Sequence, residues 1–385
     1  MKKIINTNKW KIPLYKIYTD EEDVKAVSQV IRRGMDWAIG PEIEQFEKSL
    51  AKYVGHDYCV AFNSGTSAGH AALLAVGIKP NEEIIVPSFT FIATANWALM
   101  VNAVPKFVDI EEETYGLNPQ SIESTVSKRT KIIMPIHYAG LPCKIEEISK
   151  IAQQKKICLI EDAAESLGAS INKKMVGTFG ELSIFSFAGN KVLTTGEGGA
   201  VITNSRKLFE KLKLIRSHGR LEKHNYFSSI SKANYVAHGY NWRMSSITAA
   251  LALSQLSKLK KLIDMRRKNA SYLSSKLSKF EQIRLHEEPD GYRHVYQLYS
   301  IQLPNSTIRN KLMQFLANKG IMSKVFFNPV HLSSFYKKMG YANKNNLNVT
   351  EIVSQRILSL PLYPGLKLEE MRYIADSISE FFESV

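Results

Sequence analysis

Three stretches hold residue types that could do chemistry together. In ELSIFSFAGNKVLTTGEGGAVIT (181–203), Lys191 stands between two strand-like apolar runs, 183–187 and 200–202. A lysine buried there is favoured to lose its proton or take a covalent partner, the chemistry of a Schiff-base lysine. A solvated loop lysine is the alternative at that position alone. The turn TTGEGG that follows can fix the lysine by close backbone packing, since glycine takes conformations other residues resist. In NSGTSAGHAALLAVG (63–77) a strand runs into small residues and then an alanine-rich helix. Gly65, Thr66 and Ser67 would offer N–H groups and hydroxyls to a phosphate there. Ordinary Ser/Thr capping is an equally weighted alternative. The stretch is neither a P-loop nor a G-x-G-x-x-G fingerprint. In EDAAES (161–166), Asp162 follows the apolar run ICLI, where an acid at a strand's carboxyl end can reach a ligand. A helix cap or an arginine partner is the other reading. Phe89, in PSFTF (87–91), is either core or a ring stacked on a planar ligand.

The pattern predicts the elements that must position these residues. Helices are expected at 19–31, capped by Thr19 or Asp20, and at 41–54, with Ile43, Phe46, Leu50 and Tyr53 on one face. Short apolar strands at 58–62, 83–86, 104–108, 130–135 and 157–160 then alternate with helices at 63–77, 92–100, 118–126 and 144–154. This alternation indicates an α/β fold with a mostly parallel central sheet. Ligands in such sheets bind at the carboxyl ends of strands. The residues there are SGTS, PSFT, Asp109, His137 and EDAAES, expected to converge on one crevice.

The texture changes after residue 203. Residues 206–216 read as a basic helix, 217–240 as a loop, and 239–262 as a polar start to one long helix. A further helical segment at 268–276, an alternating strand over 292–303, a helix at 305–319, a short strand at 322–327 and a final helix at 368–385 follow. The chain therefore divides into a large domain, 1–264, including an N-terminal arm, and a smaller C-terminal α+β domain, 265–385.

Composition narrows the function classes. With 385 residues and 44% hydrophobic content the chain can build two sizeable cores. No run approaches a membrane span, and MKKIINTNKWKIPL lacks the apolar core of a signal peptide. The three cysteines read as free thiols in a reducing compartment, with Cys59 and Cys158 buried; no metal set is expected. A net charge of +15 admits nucleic acid, an anionic small substrate or a merely basic surface. The basic run 258–268 alternates with apolar residues at helical spacing, so its lysines form a wet helix face. No nucleic-acid-binding signature accompanies the charge.

A lysine, an acid, a hydroxyl-rich cup and an aromatic ring together suit pyridoxal 5′-phosphate. Here the sequence closely resembles the DegT/DnrJ/EryC1/StrS family of nucleotide-sugar aminotransferases. The resemblance is carried by RRGMDWAIGPEIEQFEKSLAKYVG (32–55), FNSGTSAGHAALLAVGI, EIIVPSFTFIATANW, PKFVDIEEETYGLNP, IEDAAESLGAS, FSFAGNKVLTTGEGGAVI, GYNWRMSSITAALALSQL and LSLPLYPGL (358–366), in family order. It implies a PLP-dependent transferase fold of the aspartate-aminotransferase type and a homodimer with active sites shared across the interface. It implies that Lys191 holds the cofactor's aldehyde and that Asp162 pairs with its pyridine nitrogen. Gly65, Thr66, Ser67 and Ser186 would receive the phosphate and Phe89 would stack on the ring. Asn241 would reach the neighbouring subunit's cofactor, with 217–240 helping to cover that site. His331 and Arg243 are expected near the substrate, with Arg216 and Arg220 either meeting its diphosphate or forming a solvated basic surface.

One position departs from the commonest family pattern: Glu165 stands where many members carry a glutamine that faces the cofactor's phenolic oxygen. Members that share DAAES and GNK resemble perosamine-synthase-like and bacillosamine-pathway enzymes. The resemblance implies a cytoplasmic enzyme that takes an amino group from L-glutamate and places it at C4 of a nucleotide-linked 4-keto-6-deoxy sugar. A 3-keto-sugar aminotransferase and a non-catalytic regulatory protein are the alternatives; related dehydratases replace the lysine that is present here.

Overall fold

A computed structural model describes residues 10–221, 230, 232–341 and 347–384. Residues 1–9 of the N-terminal reading, 222–229 and 231 of the covering segment, and residue 385 of the final helix lie outside the described residues.

Seven strands make the central sheet: β1 (Tyr58–Phe62), β2 (Glu83–Pro87), β3 (Val104–Val108), β4 (Thr130–Ile133), β5 (Cys158–Asp162) and, after the two-residue β6 (Ser170–Ile171) and β7 (Lys174–Met175), β8 (Leu182–Ser186) and β9 (Gly199–Thr203). Their order is β1-β9-β8-β5-β4-β2-β3. Strands β8, β5, β4, β2 and β3 pair in parallel, and β9 runs antiparallel to both neighbours. Both faces are covered, which is why these strands read as apolar runs rather than alternating ones. One core holds Val60, Phe62, Ile84, Val86, Ile160 and Ile184 against Leu73 and Trp97. The other holds Ala61, Phe185 and Ile202 against Phe46, Leu50 and Ile263.

The helices lie close to where the periodicity puts them. They are α1 (Glu21–Arg33), α2 (Pro41–Val54), α3 (Gly65–Val76), α4 (Ile92–Met100), α5 (Pro119–Thr125), α6 (Ile145–Lys155) and α7 (Arg206–Arg216). Asp20 caps α1 by accepting the Glu22 N–H, in a capping box with Asp23. The long helix expected over 239–262 is instead two, α8 (Ser246–Ser257) and α9 (Leu259–Leu277). The chain leaves helical geometry at Lys258, at φ −104° and ψ 5°. Its mostly buried ammonium pairs with Asp20 and Asp23 of the α1 N-terminus. These pairs fasten α1 to the α8–α9 junction.

Beyond α9 a second sheet, β10 (Arg284–Leu285), β12 (Tyr299–Gln302) and β13 (Ile357–Leu360), packs with α10 (Ser306–Asn318) and α13 (Leu368–Glu383). Of the short helices α11 (Ser334–Lys338) and α12 (Asn348–Arg356), α11 buries Tyr336 in the first core of the central sheet. Ile12 is buried in the core of the second sheet and bridges to Ile321. The expected strand over 292–303 is split. Its start, β11 (Tyr292–Arg293), pairs with β6, and its end is β12. Between them the Val295 and Leu298 N–H groups donate to the Gly140 and Ala139 carbonyls. The backbone there serves the 138–140 turn, and Tyr296 leaves extended geometry at φ +50°. No strand forms over 322–327, where Lys324 and Ser359 make a single bridge. Cys59 and Cys143 are buried, whereas Cys158 at the start of β5 is only partly so. Among the described residues no helix is long and apolar enough to cross a membrane.

Candidate active site

The carboxyl ends of β1, β2, β5 and β8 open on one cavity of about 340 Å³, lined among others by Gly65, Thr66, Phe91, Asp162, Ser186 and Lys191. Strands β5 and β8 are parallel neighbours in register, Asp162 beside Ile184, so the acid and Ser186 emerge at the same edge.

The cup forms where β1 turns into α3. Ser64 is the N-cap, and its hydroxyl oxygen accepts the Ser67 N–H at 3.0 Å. The Gly65 and Thr66 amides belong to the first turn, where no helical carbonyl can reach them. They are free to meet an anion. Two close approaches hold this terminus. A Cβ on Gly199, the last glycine of TTGEGG, would lie 2.5 Å from the Ser64 carbonyl carbon. A Cβ on Gly69 would lie 2.1 Å from the Trp97 ring. Trp97 in turn donates its indole N–H to the Thr66 carbonyl at 2.9 Å. The TTGEGG turn bonds to Phe187, ahead of Lys191, through the Thr195 N–H and the Gly198 carbonyl, and its last glycine, Gly199, also lets β9 pass against the cup.

Asp162 is 7% exposed. Its Oδ2 accepts the Thr94 hydroxyl at 2.7 Å and its Oδ1 accepts the Ala164 N–H at 3.2 Å. Burial pushes its carboxyl above the ordinary range, opposed by these two donors and by Lys191. Lys191 sits on the loop between β8 and β9, where its own N–H donates to the Ala188 carbonyl and Gln297 Nε2 donates to the Asn190 carbonyl at 2.7 Å. Glu165 faces the cavity, with Oε1 3.3 Å from Lys191 Nζ.

Several expected residues lie elsewhere. Phe89 is wholly buried between Tyr115, Tyr138 and Phe327 and does not line the cavity; Phe91, two residues on, does. Both lie beyond the end of β2, and Phe91, as the N-cap of α4, stands where the chain turns into the helix, exposed at the cavity, while Phe89 fills core. Ser67 commits its N–H to Ser64 and its hydroxyl to Asn63, so the cup is Ser64, Gly65 and Thr66. His331 is buried behind the site, 2.6 Å from Ser88 Oγ and 3.3 Å from Glu351. Asp109 caps α12 through the Val349 and Thr350 N–H groups. His137 lines the cavity, but its ring contacts Glu161 and the Cys143 N–H. Arg243 lines a separate cleft with Arg216 and contacts Ser217. Arg216 is buried against Glu47, and Arg220 against Ser217, so neither is a solvated surface charge. Asn241 is exposed and bridged to Ser217, at a surface open to a second copy. Ser64 and Thr90 line the cavity as members of SGTS and PSFT, without an individual role in the sequence, whereas Phe91, Thr94 and Trp97 were not expected there. Those three depend on α4 folding over the sheet edge.

The donor set fits pyridoxal phosphate. First-turn amides and the Ser186 hydroxyl face one end, a buried acid the middle, and an amine with its carboxylate partner the other side. Gly65 leaves room that a Cβ would fill, 3.0 Å from Ser186 Cβ.

Comparison with known proteins gives the same class. A sequence profile of the DegT/DnrJ/EryC1/StrS aminotransferase family matches residues 18–379. The chain is 33% identical over 376 residues to the GDP-perosamine synthase of Vibrio cholerae, covering 97% of this chain and 100% of that one. It is 33% identical over 366 residues to a pleiotropic regulatory protein of Geobacillus stearothermophilus, covering 94% of each. Among solved structures it is similar to Helicobacter pylori PseC, an aminotransferase involved in the biosynthesis of pseudoaminic acid. The TM-score is 0.90 at 30% identity, over 97% of this chain and 100% of that one.

Proposed function

The chain belongs to the DegT/DnrJ/EryC1/StrS aminotransferase family, and from that premise we propose that it carries an amino group from L-glutamate to C4 of a nucleotide-linked 4-keto-6-deoxy sugar with pyridoxal 5′-phosphate as cofactor. The observation that carries this reading is the convergence of Lys191, Asp162 and the α3 N-terminus on one cavity. Full-length likeness to a GDP-perosamine synthase supports the C4 position.

When bound, pyridoxal phosphate supplies an aldehyde carbon that takes up the donor's amino group and a ring that accepts electrons. Ser64, Gly65, Thr66 and Ser186 hold its phosphate, and Phe91 covers its ring. Asp162 keeps a proton on the pyridine nitrogen. Lys191 Nζ would secure the aldehyde end and, as a free amine, would serve as general base for the donor's α proton. The same nitrogen delivers a proton in the reverse sense when the keto sugar is in place. Asn241 and the 217–240 segment serve the site of a second copy, in a homodimer, and Arg243 meets the substrate from that side. The division into residues 1–264 and 265–385 and a cytoplasmic location belong to the same reading.

The test is a panel assay with purified protein, pyridoxal phosphate and glutamate. The acceptors are UDP-, GDP- and dTDP-linked 4-keto-6-deoxy sugars and a 3-keto analogue. Release of 2-oxoglutarate with the 3-keto sugar alone would sink the C4 assignment. The likeness to a pleiotropic regulatory protein favours one second reading, a cofactor-fold protein that does not turn over. Borohydride reduction followed by mass analysis separates the two. A fixed adduct on Lys191 with no turnover of any sugar supports the regulator; no adduct at all removes both.

A further inference from the structure

Helix α4 carries two residues, Thr94 and Trp97, that reach opposite ends of the site. Trp97 holds the cup through the Thr66 carbonyl. Thr94, three residues earlier on the same helix face, donates its hydroxyl to Asp162 Oδ2. Thr94 has one hydroxyl proton, and Asp162 takes it. The 2.8 Å contact between Thr90 Oγ1 and Thr94 Oγ1 must therefore be donated by Thr90. Both threonines line the cavity. The result is a directed chain, Thr90 to Thr94 to Asp162, ending on a carboxylate.

We propose that Thr94 is a positioning residue, whose hydroxyl, supported by Thr90, keeps Asp162 ionised and oriented for the cofactor's pyridine nitrogen. The proposal rests on the cofactor reading above. Burial works against the charged form of Asp162, and a donor to the carboxylate favours it. The other groups facing Asp162 are few. Lys191 stands across the cavity and favours the charge, while Glu165 opposes it. His137 Nδ1 accepts the Cys143 N–H, so its ring proton lies on Nε2, towards Glu161 and away from Asp162. Glu161 itself is saturated by the Gly177, Phe179 and Gly180 N–H groups on the other side of β5. Thr94 is thus the side-chain hydrogen-bond donor to this acid among the described residues.

The experiment measures binding of pyridoxamine 5′-phosphate, which needs no bond to Lys191, across the acid limb of its pH profile. Wild type, Thr94→Val and Thr94→Ser are compared. The expected result for Thr94→Val is an acid limb moved to higher pH by about one unit, the scale of one hydrogen bond to a carboxylate. Thr94→Ser restores the wild-type limb. An unmoved limb in Thr94→Val overturns the proposal, and so does a Thr94→Ser variant as shifted as Thr94→Val, which would assign the effect to methyl packing. If Thr94→Val does not fold, Thr90→Val reads the chain one link out. A smaller shift in the same direction supports it and no shift overturns it. Wild-type protein that binds no pyridoxamine phosphate overturns the cofactor reading itself, a different outcome from bound wild type with unmoved variants.

Discussion

Glu165 bridges Lys191 to a buried turn: its Oε1 lies 3.3 Å from Lys191 Nζ while its Oε2 accepts the Ala139 N–H at 2.9 Å. Ala139 is wholly buried in a left-handed conformation at φ +57°, so its amide has no route to water. Glu165→Gln keeps an oxygen for that amide. Glu165→Ala leaves it unpaired, at a cost of about 1–3 kcal/mol. Urea denaturation of the cofactor-free variants is expected to show a midpoint near wild type for Gln and a clearly lower one for Ala. An equal loss in both would assign the stability to the ion pair instead.

Gly199→Ala tests the contact between β9 and the cup. The new methyl would press on the Ser64 carbonyl and the Gly65 nitrogen, at 2.5 and 2.6 Å, and both are backbone. Neither can rotate away, so the strand or the α3 N-terminus must shift, at a cost of about 1–3 kcal/mol. The expected signature is joint: lower thermal stability and weaker binding of inorganic phosphate or pyridoxal phosphate. Full affinity in a destabilised variant would show that the strand moved and the cup did not.

Glu161 gives an acid-side stability term. Burial alone would raise its carboxyl, but His137 and the Gly177 and Phe179 N–H groups outweigh it and hold the group below its ordinary value of 4.5. A depressed folded value means stability present above the unfolded value and lost as pH falls through the folded one. Glu161→Gln sets an amide NH₂ against donors already pointing at that site. It should cost at least about 2 kcal/mol at neutral pH and flatten the acid limb of the stability profile. An acid limb identical to wild type would show that other carboxylates control it.

Much of this was legible in sequence. Asp162 and the β1–α3 junction announce themselves because each sits where an apolar strand ends, and Lys191 because it stands alone between two apolar strands; strand ends are set by local pattern. What sequence could not place depended on which side of an end a residue leaves. Phe89 and Phe91 are chemically alike, and only the packing of Tyr115, Tyr138 and Phe327 decides which is core. Asp109 also ends a strand, yet α12, from far along the chain, claims its carboxylate. The break at Lys258 was hidden for the same reason, since Asp20 and Asp23 lie more than two hundred residues away.

Asp162→Asn should separate stability from function. The folded carboxyl is raised above its ordinary value of 3.8 by burial. Between the unfolded and folded values the native state therefore holds more protons, and stability falls as pH rises through that window. Asparagine carries no charge to desolvate. Its Oδ1 can accept the Ala164 N–H, and its Nδ2 can donate to the Thr94 oxygen. Without cofactor, the stability difference between Asn and wild type should be small below the ordinary carboxylate range. It should grow in favour of Asn with rising pH, to about 1 kcal/mol at neutrality. Urea midpoints at a series of pH values measure that difference directly, so titration of other groups cancels. With pyridoxal phosphate the order should reverse, because an amide cannot hold the proton on a ring nitrogen as a carboxylate does. A difference that shrinks with rising pH would mean that Thr94, Ala164 and Lys191 together already outweigh burial, and that Asp162 is ionised at no cost to the fold.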